Sequence, residues 1–438
     1  MARHPSTGLL IGTLLVLTGC GRSTKPATPA TTEPAVIEKP GDEGTPEVDV
    51  PPVVVTSMNI NPDPTVGPNG SALYIVDVET GAMHLFPFST IEGGPVVGQG
   101  MHTALMPDMK KVYVTIGGNE SLTLRVVVIE IDWKARVPSP RVVKTLELVD
   151  AGTPGNPANG AACHPGGPGI RQEGHGTRIT LDGRYLTLSE LQNDRLRILD
   201  TQTDTFIGEP TTHEDLFAPH GLYPNPAGTL AATTQYWFDH NLVSVWNIDG
   251  ETGALSHSAS IPLQTDEVSG SYQHTVRWLD DTRFYTNATQ ERHQGDGKSE
   301  QSVWLVDVTT NTATPVLKAD QILEGVSDIA LAGEKLYVAE GNVAQFLAGE
   351  ETPGHVSVFN ISDPIAPTLI KRFSAGDGFP DGFSNAHSLG ISADGASVFV
   401  ESFSSNYLIQ LNGEDDSVVR IYHEAEGLDT THGIYMQP

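Results

Sequence analysis

Apolar and polar positions alternate with a period of two along most of residues 56–438, in short runs of Val, Ile, Leu, Tyr and Thr broken by Gly, Asp and Asn. That alternation predicts β-strands, and helical spacing of apolar residues is almost absent. One kind of run ends in Asp or Asn before a turn: Tyr74 to Val78, Val127 to Asp132, Leu196 to Thr201, Val243 to Ile248, Val303 to Val308 and Val356 to Ile361. A second kind opens with histidine: His175-Gly176-Thr177-Arg178-Ile179, His220-Gly221-Leu222, His274-Thr275-Val276-Arg277-Trp278, His387-Ser388-Leu389-Gly390-Ile391 and His432-Gly433-Ile434. His102 is a looser copy, shifted by one position. The pattern returns about every 45 to 60 residues, which predicts an all-β fold, a β-propeller.

Inner strands starting at Met101/His102, His175, His220, His274, Ser327/Asp328, His387 and His432 predict seven blades. The last starts close to the final Pro438, so its other strands are expected near Ser71 to Phe86. Pairing the two chain ends in this way closes the ring and removes free sheet edges.

The first 55 residues read differently. Arg3 and His4 precede an apolar run, Gly8 to Leu17, too short to span a membrane, so residues 1–19 are expected to be an export signal. Leu17-Thr18-Gly19-Cys20 resembles a bacterial lipobox. That resemblance implies cleavage before Cys20, acylation of Cys20 and a membrane partner through the lipid, in the cell envelope. Gly21 follows in place of an aspartate, which points away from inner-membrane retention. Residues 20–55 are rich in Pro, Thr, Glu and Gly without hydrophobic period, the composition of a disordered tether. Residues 56–438 are left as one propeller with an insertion at 152–174.

The net charge of −29 excludes nucleic acid as a partner and suits an acidic exported surface. Of two cysteines, an acylated Cys20 leaves Cys163 with no partner for an intramolecular disulfide, so Cys163 is expected to be buried or a ligand.

Histidines at the start of inner strands are expected to ring the channel mouth. Converging imidazoles suit copper, with zinc or iron as alternatives, and the candidate ligands are His175, His220, His274, His387 and His432. Cys163 and His164, within the glycine-rich insertion, would cap the mouth and add two more. The loop histidines His213, His240 and His293 are expected on the same face. So are Glu190, Glu340 and Glu401, at the ends of second strands, as ligands or as groups orienting the rings. A ring this wide cannot bring every member to one ion at about 2.1 Å, which favours the contiguous run His175, His220 and His274. The plainer alternative stays open, that each imidazole only bonds nearby backbone.

Val112-Tyr113-Val114-Thr115 resembles the tag of the YVTN-type seven-bladed propellers, with Ile116 in place of the usual asparagine. Ser327-Asp328-Ile329-Ala330-Leu331, followed by Val358 to Pro364, is distantly similar to the selenium-binding (methanethiol oxidase) propellers. The second resemblance implies a copper-dependent oxidoreductase. Lactonase-type hydrolases share the fold, and there His220 or His274 would be the base, with Glu190 or Glu401 orienting it. A non-catalytic alternative binds a small-molecule or protein ligand at the top face through Tyr236, Trp237 and Phe238. Neither a His-Glu-x-x-His motif nor a Gly-x-Ser-x-Gly elbow is present.

Overall fold

The computed structural model describes residues 53–436 apart from segments 58–71, 95–98, 120–124, 149–169, 289–300, 342–352 and 424–431 and some shorter loop stretches. The expected signal, Cys20, Cys163, His164 and His293 lie outside the described residues.

The described chain is an all-β propeller. Six sheets are each built from one run of chain, with their strands in sequence order from the axis outward. They run Gln99–Leu105, Lys111–Asn119, Arg125–Lys134 and Val137–Glu147; then Gly174–Ile179, Tyr185–Glu190, Arg195–Asp200 and Thr205–Phe206. The third is Pro219–Pro224, Leu230–Gln235, Leu242–Ile248 and Leu255–Pro262; the fourth is Gln273–Trp278, Arg283–Ala288, Ser302–Asp307 and Thr312–Leu317. Val326–Ala332, Lys335–Glu340, His355–Asn360, Thr368–Ala375 and Gly378–Phe379 form the fifth. Ala386–Ile391, Ser397–Ser402, Leu408–Asn412 and Val418–Tyr422 form the sixth.

Where the sequence suggested seven blades, six come from a single run of chain; the remaining sheet is composite. In it His432–Met436 pairs with Val53–Ser57, which pairs with Ala72–Asp77 and then Met83–Pro87. Each inner strand touches the next in chain order, and His432–Met436 touches both Ala386–Ile391 and Gln99–Leu105. Two boundaries move as a result. Residues 53–55 belong to this sheet and not to the tether, because Val53–Ser57 is paired on both sides. The insertion also ends earlier than expected: Ile170–Gln172 is a short strand on the far end of Lys111–Asn119.

Third strands stop where they do for a local reason. Asp77, Asp200, Asp249, Asp307, Asn360 and Asn412 each accept hydrogen bonds from backbone N–H groups two or three residues on. A short side chain that mimics a backbone turn ends the ladder there.

Neighbouring sheets are joined by apolar packing and by tyrosines. Tyr223, Val243 and Val245 pack with Val276, Phe284 and Trp304 of the next sheet. Second-strand tyrosines reach the turn after the third strand of the following sheet. Tyr113 Oη donates to Asp204 at 2.5 Å, Tyr185 Oη to the Gly250 carbonyl at 3.3 Å, Tyr285 Oη to the Pro364 carbonyl at 2.7 Å and Tyr337 Oη to Asp416 at 2.5 Å. Two of these are reinforced by lysine, with Lys111 Nζ and Lys335 Nζ each 2.9 Å from the same aspartates. Burial, and then the adjoining carboxylate, push the Tyr113 and Tyr337 hydroxyls far above the usual range, so both stay protonated donors.

Candidate functional site

All six contiguous sheets carry a register shift between the inner and second strands, at or beside the positions where the histidine repeat falls. His220 is the extra residue between the pairs Pro219–Gln235 and Gly221–Thr234. His387 is the extra residue between Ala386–Ser402 and Ser388–Glu401, and Ser327 between Val326–Glu340 and Asp328–Ala339. The shift takes in His274 and Thr275 in one sheet and Met101 and His102 in another, while His175 pairs with Ser189 just before its own. A bulge leaves a residue outside the ladder and re-aims its side chain. The backbone donors it releases are caught by side chains: His102 N by Thr115 Oγ1 at 3.0 Å, and Thr275 N by Asn287 Oδ1 at 2.8 Å.

The bulges bring imidazoles from four sheets together at the axis. Ring centroids of His102 and His220 are 6.3 Å apart, those of His220 and His274 4.1 Å, and those of His274 and His387 5.2 Å. All four side chains are buried. Tyr236 backs the arc, 4.9 Å from His220 and 5.9 Å from His274, with Tyr272 edge-on behind it. An exposed contact patch was expected at Tyr236, but only 6% of it is exposed because it fills the space beside these rings. Trp237 and Phe238 lie outside the described residues.

The His220 tautomer follows from its partner. Nδ1 lies 3.0 Å from the His274 carbonyl, which can only accept, so Nδ1 carries the proton and Nε2 bears the lone pair in the neutral ring. The same carbonyl accepts from Tyr223 Oη at 3.0 Å and Thr234 Oγ1 at 3.3 Å. His387 Nδ1 is held by Ser388 Oγ at 3.1 Å.

The sheet without an axial histidine contributes a carboxylate. Asp328, buried, faces Arg277 Nη2 at 3.0 and 3.2 Å and accepts from Leu389 N at 2.9 Å. It therefore ties together three inner strands below the imidazoles. Further along the channel a cavity of about 300 Å³ is lined by Arg178, Tyr223, Arg277, Trp278, Leu389 and Ile391.

Of the expected ligands, His220, His274 and His387 are brought together, joined by His102. His175 and His432 stand at inner-strand positions opposite Ser189 and Ser57, but their side chains lie outside the described residues. His213 and His240 do not join the described arc. His240 stacks on Phe217 at 4.3 Å, and His213 on His257, a histidine of an outermost strand, at 3.8 Å. Glu190 and Glu340 are also committed elsewhere. Glu190 pairs with Arg197, and Glu340 accepts from Ser357 Oγ and from Leu323 N. Glu401 pairs across the ladder with Ser388, beside His387, and is fully buried. The chain spacing shows neither the Asp328–Arg277 pair nor His257, since both depend on strands that meet only in the fold.

Two imidazoles outside the arc resist protonation. Burial lowers the His257 and His355 pKa values below the usual 6.5, helped at His257 by neighbouring His213 and opposed at His355 by Glu340. A base that is harder to protonate when folded contributes stability at neutral pH that is lost as pH falls below the unfolded value. The melting temperature is therefore expected to drop between about pH 7 and pH 5, with a shallower drop in His355→Gln. An unchanged pH slope in that variant would remove His355 from the account.

No known protein family matches the chain by sequence, and no curated protein matches it. Solved structures do share its fold. A hypothetical selenium-binding protein from Sulfolobus tokodaii aligns over 89% of this chain and 94% of its own at 14% identity, with a TM-score of 0.59. The periplasmic gluconolactonase PpgL of Pseudomonas aeruginosa aligns over 88% and 98% at 12% identity, TM-score 0.55. A protein from Lactobacillus plantarum aligns over 88% and 99% at 11% identity, TM-score 0.59. At these identities the likeness is one of fold.

Proposed function

We propose that the axial mouth is a transition-metal site, copper first, in a lipid-anchored envelope propeller with oxidoreductase activity. The observation that carries this reading is the arc of four buried imidazoles, His102, His220, His274 and His387. A histidine bound at about 2.1 Å sets its ring centroid about 3 Å from the ion, so two on one ion sit about 4.5 to 6.5 Å apart. His274 with His387 and His102 with His220 fit that range, whereas His220 and His274, 4.1 Å apart, are closer together than it allows. The rings meet in pairs; among the described residues, the set of three candidate ligand atoms all within 4.8 Å of one another lies elsewhere.

His220 would bind through Nε2, its ring oriented by the His274 carbonyl, the usual support of a ligating imidazole. Tyr236 and Tyr272 exclude water from the back of the arc. Bound copper would supply one-electron chemistry at the mouth. On this reading the composite sheet counts as a seventh blade, and His175 and His432 occupy equivalent places in the ring. The lipid anchor at Cys20 rests on the sequence Leu17-Thr18-Gly19-Cys20.

A hydrolase would use the same Nε2 of His220 as general base. Glu190 would not orient it, because that carboxylate is held by Arg197; the His274 carbonyl does so.

Elemental analysis of the untagged protein after copper reconstitution tests the proposal. Wild type is expected to hold at least about one copper per chain, and His220→Ala/His274→Ala to hold less by about one, with an unchanged circular dichroism spectrum. Equal copper in both proteins would overturn the axial site and leave the hydrolase and binding readings.

A further inference from the structure

A second group of ligand-type side chains lies away from the axis, on the outer half of the sheet that starts at Pro219. His213, Asp215 and His257 each offer one ligand atom, and the three atoms lie within 4.8 Å of one another. The sequence separates them: His213 and Asp215 precede the inner strand, and His257 lies on the outermost strand, Leu255–Pro262.

Several features hold them in place. A register shift between Val245 and Trp246 sets His257 directly opposite Trp246 and leaves Ser258 as the extra residue. That bulge re-aims the imidazole, as bulges near sites do. Trp246, buried, forms the floor, with its ring edge-on to His213 at 6.0 Å and to His257 at 5.2 Å. The turn carrying His213 and Asp215 is clamped by Gln235, fully buried, whose Nε2 donates to the Asp215 carbonyl at 2.6 Å and whose Oε1 accepts from Phe217 N at 3.1 Å. Ser260 Oγ links the two halves. It donates to Asp215 Oδ2 at 2.8 Å and lies 3.0 Å from His257 Nε2.

We propose that His213, Asp215 and His257 form a binding site for a divalent transition-metal ion, with open coordination positions toward solvent. Two imidazoles and one carboxylate are a borderline donor set that suits Zn²⁺ or Cu²⁺ over Ca²⁺ or Mg²⁺, which prefer all-oxygen shells. His213 and His257 are stacked at 3.8 Å, closer than two imidazoles on one ion, but all three side chains are partly exposed, so the rings have room to part around an ion that enters from solvent and keeps water as its remaining ligands. Ser260 is the supporting partner that fixes a ligand's orientation. The site does not depend on the axial one.

The two sites can be separated by titrating Zn²⁺ alone, by calorimetry, into the His220→Ala/His274→Ala protein without a histidine tag. One zinc is expected to bind there, and His257→Gln is expected to weaken it by on the order of 100-fold or more. Asp215→Asn, isosteric and partly exposed, gives a second reading if the histidine variant folds poorly, and is expected to weaken zinc about tenfold. Co²⁺ in place of zinc should give visible bands that disappear in either variant. Absence of zinc binding in the His220→Ala/His274→Ala protein, or binding unchanged by both further substitutions, overturns the proposal. Neither result bears on the axial reading, which is decided by the difference in copper content between the wild type and the His220→Ala/His274→Ala protein.

Discussion

Arg277→Ala is expected to cost about 3 to 5 kcal/mol in urea denaturation, the range for removing one partner of a buried ion pair. Arg277 is the cation facing Asp328, at 3.0 and 3.2 Å, and the two side chains are 19% and 7% exposed. Without the guanidinium the carboxylate stays buried at the axis with, among the described residues, the N–H donors of Leu389 and Ile329. Asp328→Asn should also be costly, because an amide oxygen that keeps Leu389 N turns the amide NH2 towards Ile329 N and Arg277 Nη2, donor against donor. Replacing both residues by Leu or Met should recover most of the loss, since paired charges and apolar groups of similar volume are close in energy. A loss below about 1 kcal/mol in Arg277→Ala would mean that the pair is effectively solvated.

Asp416→Ala is the second large effect, expected at about 3 kcal/mol, between stranding a neutral donor and stranding a charge. Asp416 accepts from Tyr337 Oη at 2.5 Å and from Lys335 Nζ at 2.9 Å, across the joint between two sheets. Lys335 keeps the Gly413 and Glu414 carbonyls, which softens the loss on its side; Tyr337 keeps nothing comparable. The double variant Tyr337→Phe/Asp416→Ala should lose less than the sum of the single changes, because it no longer leaves a buried hydroxyl without its acceptor. Strict additivity in that cycle would show that the joint contributes by packing alone.

The repeat was legible because strand alternation and turn chemistry are local. Asp77, Asp200, Asp307 and Asn360 could be picked out as closing third strands, and their side chains make the expected turns; in the sheet that starts at Pro219 the turn is made by Asp249 and not by Asn247, and the strand through Asp132 runs on to Lys134. Composite closure was readable in part: strands at Ala72–Asp77 and Met83–Pro87 were expected, but Val53–Ser57, which pairs directly with His432–Met436, reads as part of the Pro- and Thr-rich stretch before it. The site was legible only in part. That His220, His274 and His387 share an axis follows from their place in the repeat. That Glu190 and Glu340 turn to Arg197 and Ser357 depends on neighbours across the ladder and on strand ends, which spacing does not encode. His257 was not visible at all, because it faces Trp246 only through a bulge at Ser258. Tyr236 looked like a surface aromatic beside Trp237 and Phe238, yet it fills the space behind His220.

The axial bulges have a consequence for how such a molecule can change. A residue outside the ladder carries no pairing duty, so its identity can be exchanged while the strands on either side keep their partners. Ser327 stands in the same ladder position as His220 and His387, so the same bulge carries a serine in one sheet and an imidazole in two others. The mouth can thus be rewritten one sheet at a time, and new chemistry can be tried at the axis without renegotiating the scaffold that holds it.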